Sequence, residues 1–320
     1  MTVLAPRSRR SFAKTNGNQL IVVGLLIILT IIGAVVSDRF LTVANFMNIL
    51  EQSTTLAIVS LGQTLAVLTG GIDLSVGSII SLTGVLLSGI TNGDPGMVAI
   101  AILVVLGVGI AVGLLNAAAI VWLRVHPLIV TLGMGAALQG ITLLYTNGPA
   151  GKMPLGFDWL AFGRVWGVPA GALIAIALSL IVAAYLRYAP FGRYIYAIGD
   201  DAAGAKLMGL PRVKVMFFVY GFSGFMAALT AIFLVSRFGV GQPYTGQNFT
   251  LTSITPVVVG GTLLSGGRGG VIGTLLGVYL VSLMNNVLNF MDISSHYQLI
   301  VQGVIVILAV SVYVENKRKL

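Results

Sequence analysis

Residues 97–122 read MVAIAILVVLGVGIAVGLLNAAAIVW, a run without one charged side chain. At 1.5 Å per residue, a helix of that length covers about 39 Å, more than the roughly 30 Å hydrocarbon core of a bilayer. The run is continuously apolar and does not alternate, so it is a helical span and not a strand of a membrane barrel. Working outward, similar runs occupy 19–36, 53–70, 75–91, 127–146, 169–186, 213–235, 249–264, 271–288 and 298–314. The expected fold is therefore all-α: a polytopic membrane bundle of about ten transmembrane helices.

Composition agrees. Charged residues make up 8% of the 320 positions and apolar residues 57%, against about 25% charged in an average soluble protein. So few charges cannot cover a soluble surface, which excludes a soluble enzyme, and the hydrophobicity excludes a disordered chain. About 120 residues remain once ten spans of about 20 are counted, too few for a soluble catalytic domain. The net charge of +9 invites a nucleic-acid reading, but the Lys and Arg residues sit in short clusters between apolar runs, as loops facing the cytoplasm do. The absence of cysteine rules out disulfides and thiolate chemistry. The basic N-terminus (Arg7, Arg9, Arg10, Lys14) leads into a run longer than a signal peptide's and lacking a small-residue cleavage site, so it reads as an uncleaved first span.

Placing the N-terminus in the cytoplasm and alternating sides puts fourteen Lys and Arg residues inside and four (Arg39, Lys152, Arg164, Arg237) outside. This asymmetry predicts cytoplasmic tails at 1–18 and 315–320 flanking a transmembrane domain over 19–314. It also places the segment 147–168, with Trp159, Phe162 and Trp166, outside, and the polar loop 187–212 inside. A weak repeat has an offset of 196: Gly70-Gly71 and Gly77-Ser78-Ile79 match Gly266-Gly267 and Gly273-Thr274-Leu275. Chance in a chain with 41 glycines is one reading. Two equivalent hairpins beside a transport pathway is the other. Gly109 and Gly113, and Gly269, Gly273 and Gly277, are spaced for close helix packing. The segment 249–264 is short and interrupted by Pro256, so it is a candidate for incomplete spanning.

No catalytic or metal constellation is visible. The histidines, His126 and His296, fall on opposite expected sides, and no nucleotide motif is present; Gly148 to Lys152 fails the phosphate-loop spacing. Asp73, between two apolar runs, reads either as a cap accepting from the backbone of Ser75 or Val76, or as a gating or ion-coupling group. Gln63, Thr64 and Thr69 put amides and hydroxyls into the second span, and Asn45, Asn48, Glu51 and Gln52 precede it. Such groups serve either a hydroxyl-rich solute or helix packing. In the inner loop, Asp200-Asp201 opens a two-turn helix through Met208, and Gly209 and Pro211 end it. So short a helix must pack on something, either the ends of its own bundle or a partner, with Leu207 and Met208 supplying the apolar contact and Ala202, Ala203 and Ala205 small enough to fit a partner's groove.

Three stretches resemble a known family. The run Thr69-Gly70-Gly71-Ile72-Asp73-Leu74-Ser75-Val76-Gly77-Ser78 is similar to the most typical motif of ribose-type ABC sugar importer permeases. The segment Pro190-Phe191-Gly192-Arg193-Tyr194-Ile195-Tyr196-Ala197-Ile198-Gly199, running on to Gly209-Leu210, is similar to their cytoplasmic coupling loop. Val259-Gly260-Gly261-Thr262-Leu263-Leu264-Ser265-Gly266-Gly267 resembles a third family stretch. Gly204 stands where the family commonly has Ala, which should weaken the short helix by about 1 kcal/mol.

The resemblance implies a bacterial inner-membrane permease for a monosaccharide. It would pair with a second permease subunit, cytoplasmic ABC ATPase subunits and a periplasmic sugar-binding protein. ATP and Mg would sit on the ATPase, and this chain would hold no cofactor, metal or nucleic acid. The resemblance marks Gly192, Arg193, Gly199, Asp200, Asp201, Ala205, Leu207, Met208 and Gly209 as the ATPase-coupling loop. The pathway and gate candidates are Asn48, Gln63, Thr64, Gly70, Gly71, Asp73, Ser75, Gly266 and Gly267. An ion-coupled secondary sugar transporter is the alternative, with only Asp73 and Glu51 to carry coupling.

Overall fold

The computed structural model describes residues 10–294 and 296–305. The chain is helical almost throughout: α1 (Arg10–Val36), α2 (Val43–Leu68), α3 (Val76–Thr91), α4 (Val98–Trp122), α5 (Pro127–Tyr145), α6 (Trp159–Phe162), α7 (Ala170–Tyr188), α8 (Pro190–Asp200), α9 (Ala202–Leu207), α10 (Arg212–Phe238), α11 (Phe249–Thr252), α12 (Ile254–Val259) and α13 (Val271–Phe290). A further helix, α14, is described over 296–305. One two-residue hairpin, β1 (Arg164–Val165) with β2 (Val168–Pro169), lies between α6 and α7.

Among the described residues, five helices are long and apolar enough to cross a membrane: Pro95–Trp122, Pro127–Tyr145, Ala170–Tyr188, Arg212–Phe238 and Val271–Phe290. Leu20–Val36, Val76–Thr91 and Phe249–Val259 are shorter apolar helices. The chain is thus a multi-pass α-helical membrane protein. Two expected boundaries shift. The expected tail 1–18 is helical from Arg10 onward. The second span begins at Val43, ten residues before the apolar run, because Thr42 caps it by accepting from the Asn45 N–H at 3.3 Å; Asn45, Asn48, Glu51 and Gln52 therefore lie within the helix. The segment 249–264 is two short helices broken at Ser253, and their eleven residues rise only about 16 Å. Of the last apolar run, 306–314 lies outside the described residues, as do 1–9 and 315–320.

The core is built around α10, which packs along α4, α2 and α3, while α13 packs on α1, α2 and α12. Glycine sets the closest approaches. A side chain at Gly113 would run into the Tyr220 carbonyl, and one at Gly224 into the Gly109 carbonyl, so α4 and α10 touch backbone to backbone. Gly273 and Gly277 bring α13 equally close to Gly260 and Pro256 of α12. Close packing of this kind replaces the hydrophobic drive that lipid does not provide.

The two long loops mark opposite poles. Segment 147–168 lies over the ends of α3 and α10: the Gly93 N–H donates to the Lys152 carbonyl at 2.8 Å and the Met153 N–H to the Gly239 carbonyl at 2.9 Å. The loop 187–212 lies against the end of α2 and the start of α13. It is more ordered than the sequence indicates, because α8 was not expected. Its buried residues Gly192, Ile195 and Ile198 recur at three-residue spacing, giving one core-facing stripe.

Candidate functional site

The turn between α2 and α3 is the first part of the site. Gly70 ends α2 in the left-handed region at φ +80°, which glycine adopts without strain. Its N–H donates to the Val67 carbonyl at 2.9 Å and that of Gly71 to the Ala66 carbonyl at 3.1 Å, satisfying carbonyls the helix leaves open. The chain then buries Asp73 completely. Its Oδ1 accepts from the Ser75 N–H at 3.0 Å and the Ser75 hydroxyl at 2.6 Å, and its Oδ2 accepts from the Ser223 hydroxyl of α10 at 2.7 Å. The expected bond to the Ser75 backbone is present, and Ser223 ties the same carboxylate to another helix. Asn116 of α4 donates to Ser75 Oγ at 2.9 Å. Thr131 of α5 accepts from the Leu74 N–H at 3.0 Å and donates to the Ile72 carbonyl at 3.1 Å. One turn is thus stitched to three helices by five polar residues.

The pathway candidates do not form one cluster. About 24 Å of helix rise separates Asn48 from Thr64. Asn48 is exposed near the opposite pole and accepts from Gln52 at 2.9 Å. Its neighbour Asn45 is a packing residue, exchanging amide hydrogen bonds of 3.1 and 2.9 Å with Asn286 of α13. Gln63 and Thr64 are fully buried in mid-helix. Thr64 donates to the Ser60 carbonyl at 2.6 Å and lies 2.8 Å from the Thr274 hydroxyl of α13. Gly70, Gly71, Asp73, Ser75, Gly266 and Gly267 gather at the other end of α2.

There they meet the 187–212 loop. The Gly267 N–H donates to the Leu68 carbonyl at 3.0 Å, joining the two turns of the repeat. Gly199, at the end of α8, sits against the Leu68 carbonyl and the Gly267 backbone. Gly266 in turn sits against Gly199 and the Gly70 N–H. Three backbone segments meet where any side chain larger than hydrogen would collide. Tyr196 adds a hydrogen bond from its hydroxyl to the Gly269 carbonyl at 3.1 Å. Burial pushes that phenol above its ordinary range, so it stays protonated and donating through the physiological range.

Helix α9 stands out from this joint. Asp201 Oδ1 accepts from the Ala203 and Gly204 N–H groups, both at 3.0 Å, as its position predicted. A Cβ at Gly204 would crowd that carboxylate, which gives the glycine a local reason. At the other end Gly209 has φ +72°; its N–H donates to the Lys206 carbonyl at 3.1 Å and that of Leu210 to the Ala205 carbonyl at 3.0 Å. One expectation is corrected. Ala205 was expected to meet a partner's groove, but it is buried in this chain's own core at 2% exposure, because its face of α9 packs back on α8 and the bundle. The outward residues are Leu207 and Met208, 90% and 70% exposed; neither makes the packing contact within the bundle that was one of the two expectations. Arg193, Asp200 and Asp201 are exposed around the same joint, while Gly192 is buried, where a Cβ would meet the Leu186 backbone.

Sequence reasoning missed Asn116, Thr131, Tyr196 and Ser223. Asn116 carries a visible signal as the one amide in the apolar run 97–122. Ser223 carries none, since a serine in a span normally bonds its own helix.

Comparison with known proteins places this geometry. The family model described as branched-chain amino acid transport system / permease component matches residues 45–310. The ribose import permease protein RbsC of Escherichia coli K12 is 37% identical over 325 aligned residues, covering 100% of both chains. RbsC of Bacillus subtilis is 37% identical over 290 residues, covering 89% of each. The D-allose transport system permease protein AlsC of Escherichia coli is 32% identical over 294 residues, covering 90% of this chain and 88% of that one. No solved structure matches the chain. The chain belongs to this permease family, among the ribose-type ABC sugar import permeases.

Proposed function

We propose that this chain carries a monosaccharide across the bacterial inner membrane as one of two permease subunits, with hydrolysis of Mg-ATP on separate cytoplasmic ATPase subunits and delivery by a periplasmic binding protein. The observation that carries the reading is the similarity to a ribose permease over the full length of both chains and to an allose permease over 90% of this chain. The geometry supports it. An ATPase docked on Leu207 and Met208 would move α9 and α8 together. The glycine contacts at Gly199 and Gly266 would pass that motion into the turns that start α3 and α13. The α2–α3 turn is in turn bonded to α4, α5 and α10 through Asp73, Ser75 and Thr131. Arg193, Asp200 and Asp201 would frame the docking surface. The ion-coupled alternative has less support, because both oxygens of Asp73 are already engaged by serine donors.

The proposed topology has both termini in the cytoplasm and ten membrane segments, with α11–α12 as a half-span. The basic residues support it: Arg124, Arg187, Arg193, Lys206, Arg212, Lys214 and Arg268 belong to the pole of the 187–212 loop. Single cysteines at Asp158 and Ala203, both exposed, should label from opposite sides with a membrane-impermeant thiol reagent; same-side labelling refutes the topology. Uptake of radiolabelled aldopentoses and aldohexoses into proteoliposomes tests the function. It should require ATP, the ATPase subunits and the binding protein together, and uptake driven by an ion gradient without ATP would overturn the reading.

A further inference from the structure

Gln63 lies in the middle of α2 with no exposed surface, and neither its Oε1 nor its Nε2 has a hydrogen-bond partner among the described residues. The polar residues beside it are paired. Ser60, one turn earlier, donates to the Ser253 carbonyl at 3.2 Å, and Thr64 bonds Ser60 and Thr274. The buried Ser253 hydroxyl likewise has no partner among the described residues. Burying a primary amide with its donors and acceptor unmet is unfavourable, and a leucine of similar volume would fill the space without that cost. The amide is therefore poorly explained by the packing around it.

Ser253 is the break between α11 and α12. Helices of four and six residues have no stability of their own, so these pieces hold their place through contact with α2, α3 and α13. Contact with α13 is closer than with α2, since Gly273 and Gly277 bring α13 onto the backbone of Gly260 and Pro256. Gln63 is the i+3 neighbour of Ser60, whose hydroxyl reaches the half-span at the Ser253 carbonyl. We propose that Gln63 contacts the transported solute: separation of α2 from α11–α12 uncovers its amide, which then donates to and accepts from the hydroxyls of a neutral, hydroxyl-rich solute. The solute class follows from the chemistry of the seam. Ser60, Gln63, Thr64, Ser253 and Thr274 offer donors and acceptors and no charge. The inference rests on the monosaccharide-permease reading above and adds a residue and a moving element to it.

The test is Gln63→Leu and the unbranched Gln63→Met in the complete transporter, permease with ATPase and binding protein, reconstituted in liposomes. Thermal midpoint, uptake of a panel of radiolabelled aldopentoses and aldohexoses, and binding-protein-stimulated ATP hydrolysis are measured. Both variants should keep or raise the midpoint, since each removes an unpaired buried amide. Both should lower uptake about tenfold, the loss expected for one solute hydrogen bond whose partner is left unpaired. ATP hydrolysis should persist. A lowered midpoint in both variants would show that Gln63 is a packing residue, and unchanged uptake in either would overturn the contact with solute. If the wild-type complex imports no member of the panel, the monosaccharide reading fails and this inference falls with it. If the wild type imports a sugar and the variants match it, only this inference fails.

Discussion

Replacing Asp73 with leucine removes the acceptor for three hydrogen bonds at once. The Ser75 N–H, the Ser75 hydroxyl and the Ser223 hydroxyl all end on its two oxygens, inside a turn with no exposed surface. Serine hydroxyls can swing to a backbone carbonyl, but the Ser75 N–H cannot move. An orphaned buried donor costs about 1–3 kcal/mol, and a hydrogen bond to a charged group contributes about 1.5–3 kcal/mol. Asp73→Leu should therefore lose about 3–6 kcal/mol, much of the 5–15 kcal/mol by which a typical domain is stable. Asp73→Asn keeps one carbonyl oxygen for Ser75 and offers its NH2 to Ser223, which can turn from donor to acceptor; its cost should be about 1–2 kcal/mol. The assay is the heat-inactivation midpoint of the detergent-purified complex, paired with uptake in proteoliposomes holding equal protein. Asn should transport near wild type and unfold slightly earlier, and Leu should assemble poorly. Equal stability of Leu and Asn would refute the network. Asn variants that fold normally but do not transport would show that the charge itself is used, and ion coupling would return.

Leu207→Ser with Met208→Ser should leave the purified permease as stable as wild type, since both residues are exposed. The pair should weaken ATPase docking by about 3–5 kcal/mol if both are buried there, read as lost co-purification and uncoupled hydrolysis; intact coupling would refute docking at α9. Gly224→Ala forces a methyl against the Gly109 carbonyl, and should cost about 1–3 kcal/mol by overpacking the α4–α10 contact, checked by the same thermal midpoint.

Much of this chain is legible from its sequence because lipid imposes simple rules. A span must satisfy its own backbone, so a long uncharged run such as 97–122 has one structural solution. Local chemistry is equally direct: Asp201 and Gly209 cap α9 through bonds that reach only two to five residues, and Gly70 ends α2 in the same way. The interruption of the segment 249–264 was legible too, as a short run containing Pro256. Helix α8 was less so, because its buried stripe of Gly192, Ile195 and Ile198 is too brief to separate from a polar loop.

Tertiary structure decided what local rules cannot reach. Leu207 and Ala205 lie on the same two-turn helix, yet one points outward and the other is buried, and only the position of the bundle behind α9 settles which. Asp73 reads as a cap from its neighbours in sequence, but its bond to Ser223 spans 150 positions. The repeat at Gly70 and Gly266 is a pattern on paper; in space the two turns share a hydrogen bond, with Gly199 held between them. Sequence by itself determined the membrane class, most of the helices and their caps, because those depend on residues within a turn or two and on the solvent around them. Which buried polar groups meet, and which have no partner among the described residues as at Gln63, depended on helices brought together from distant parts of the chain.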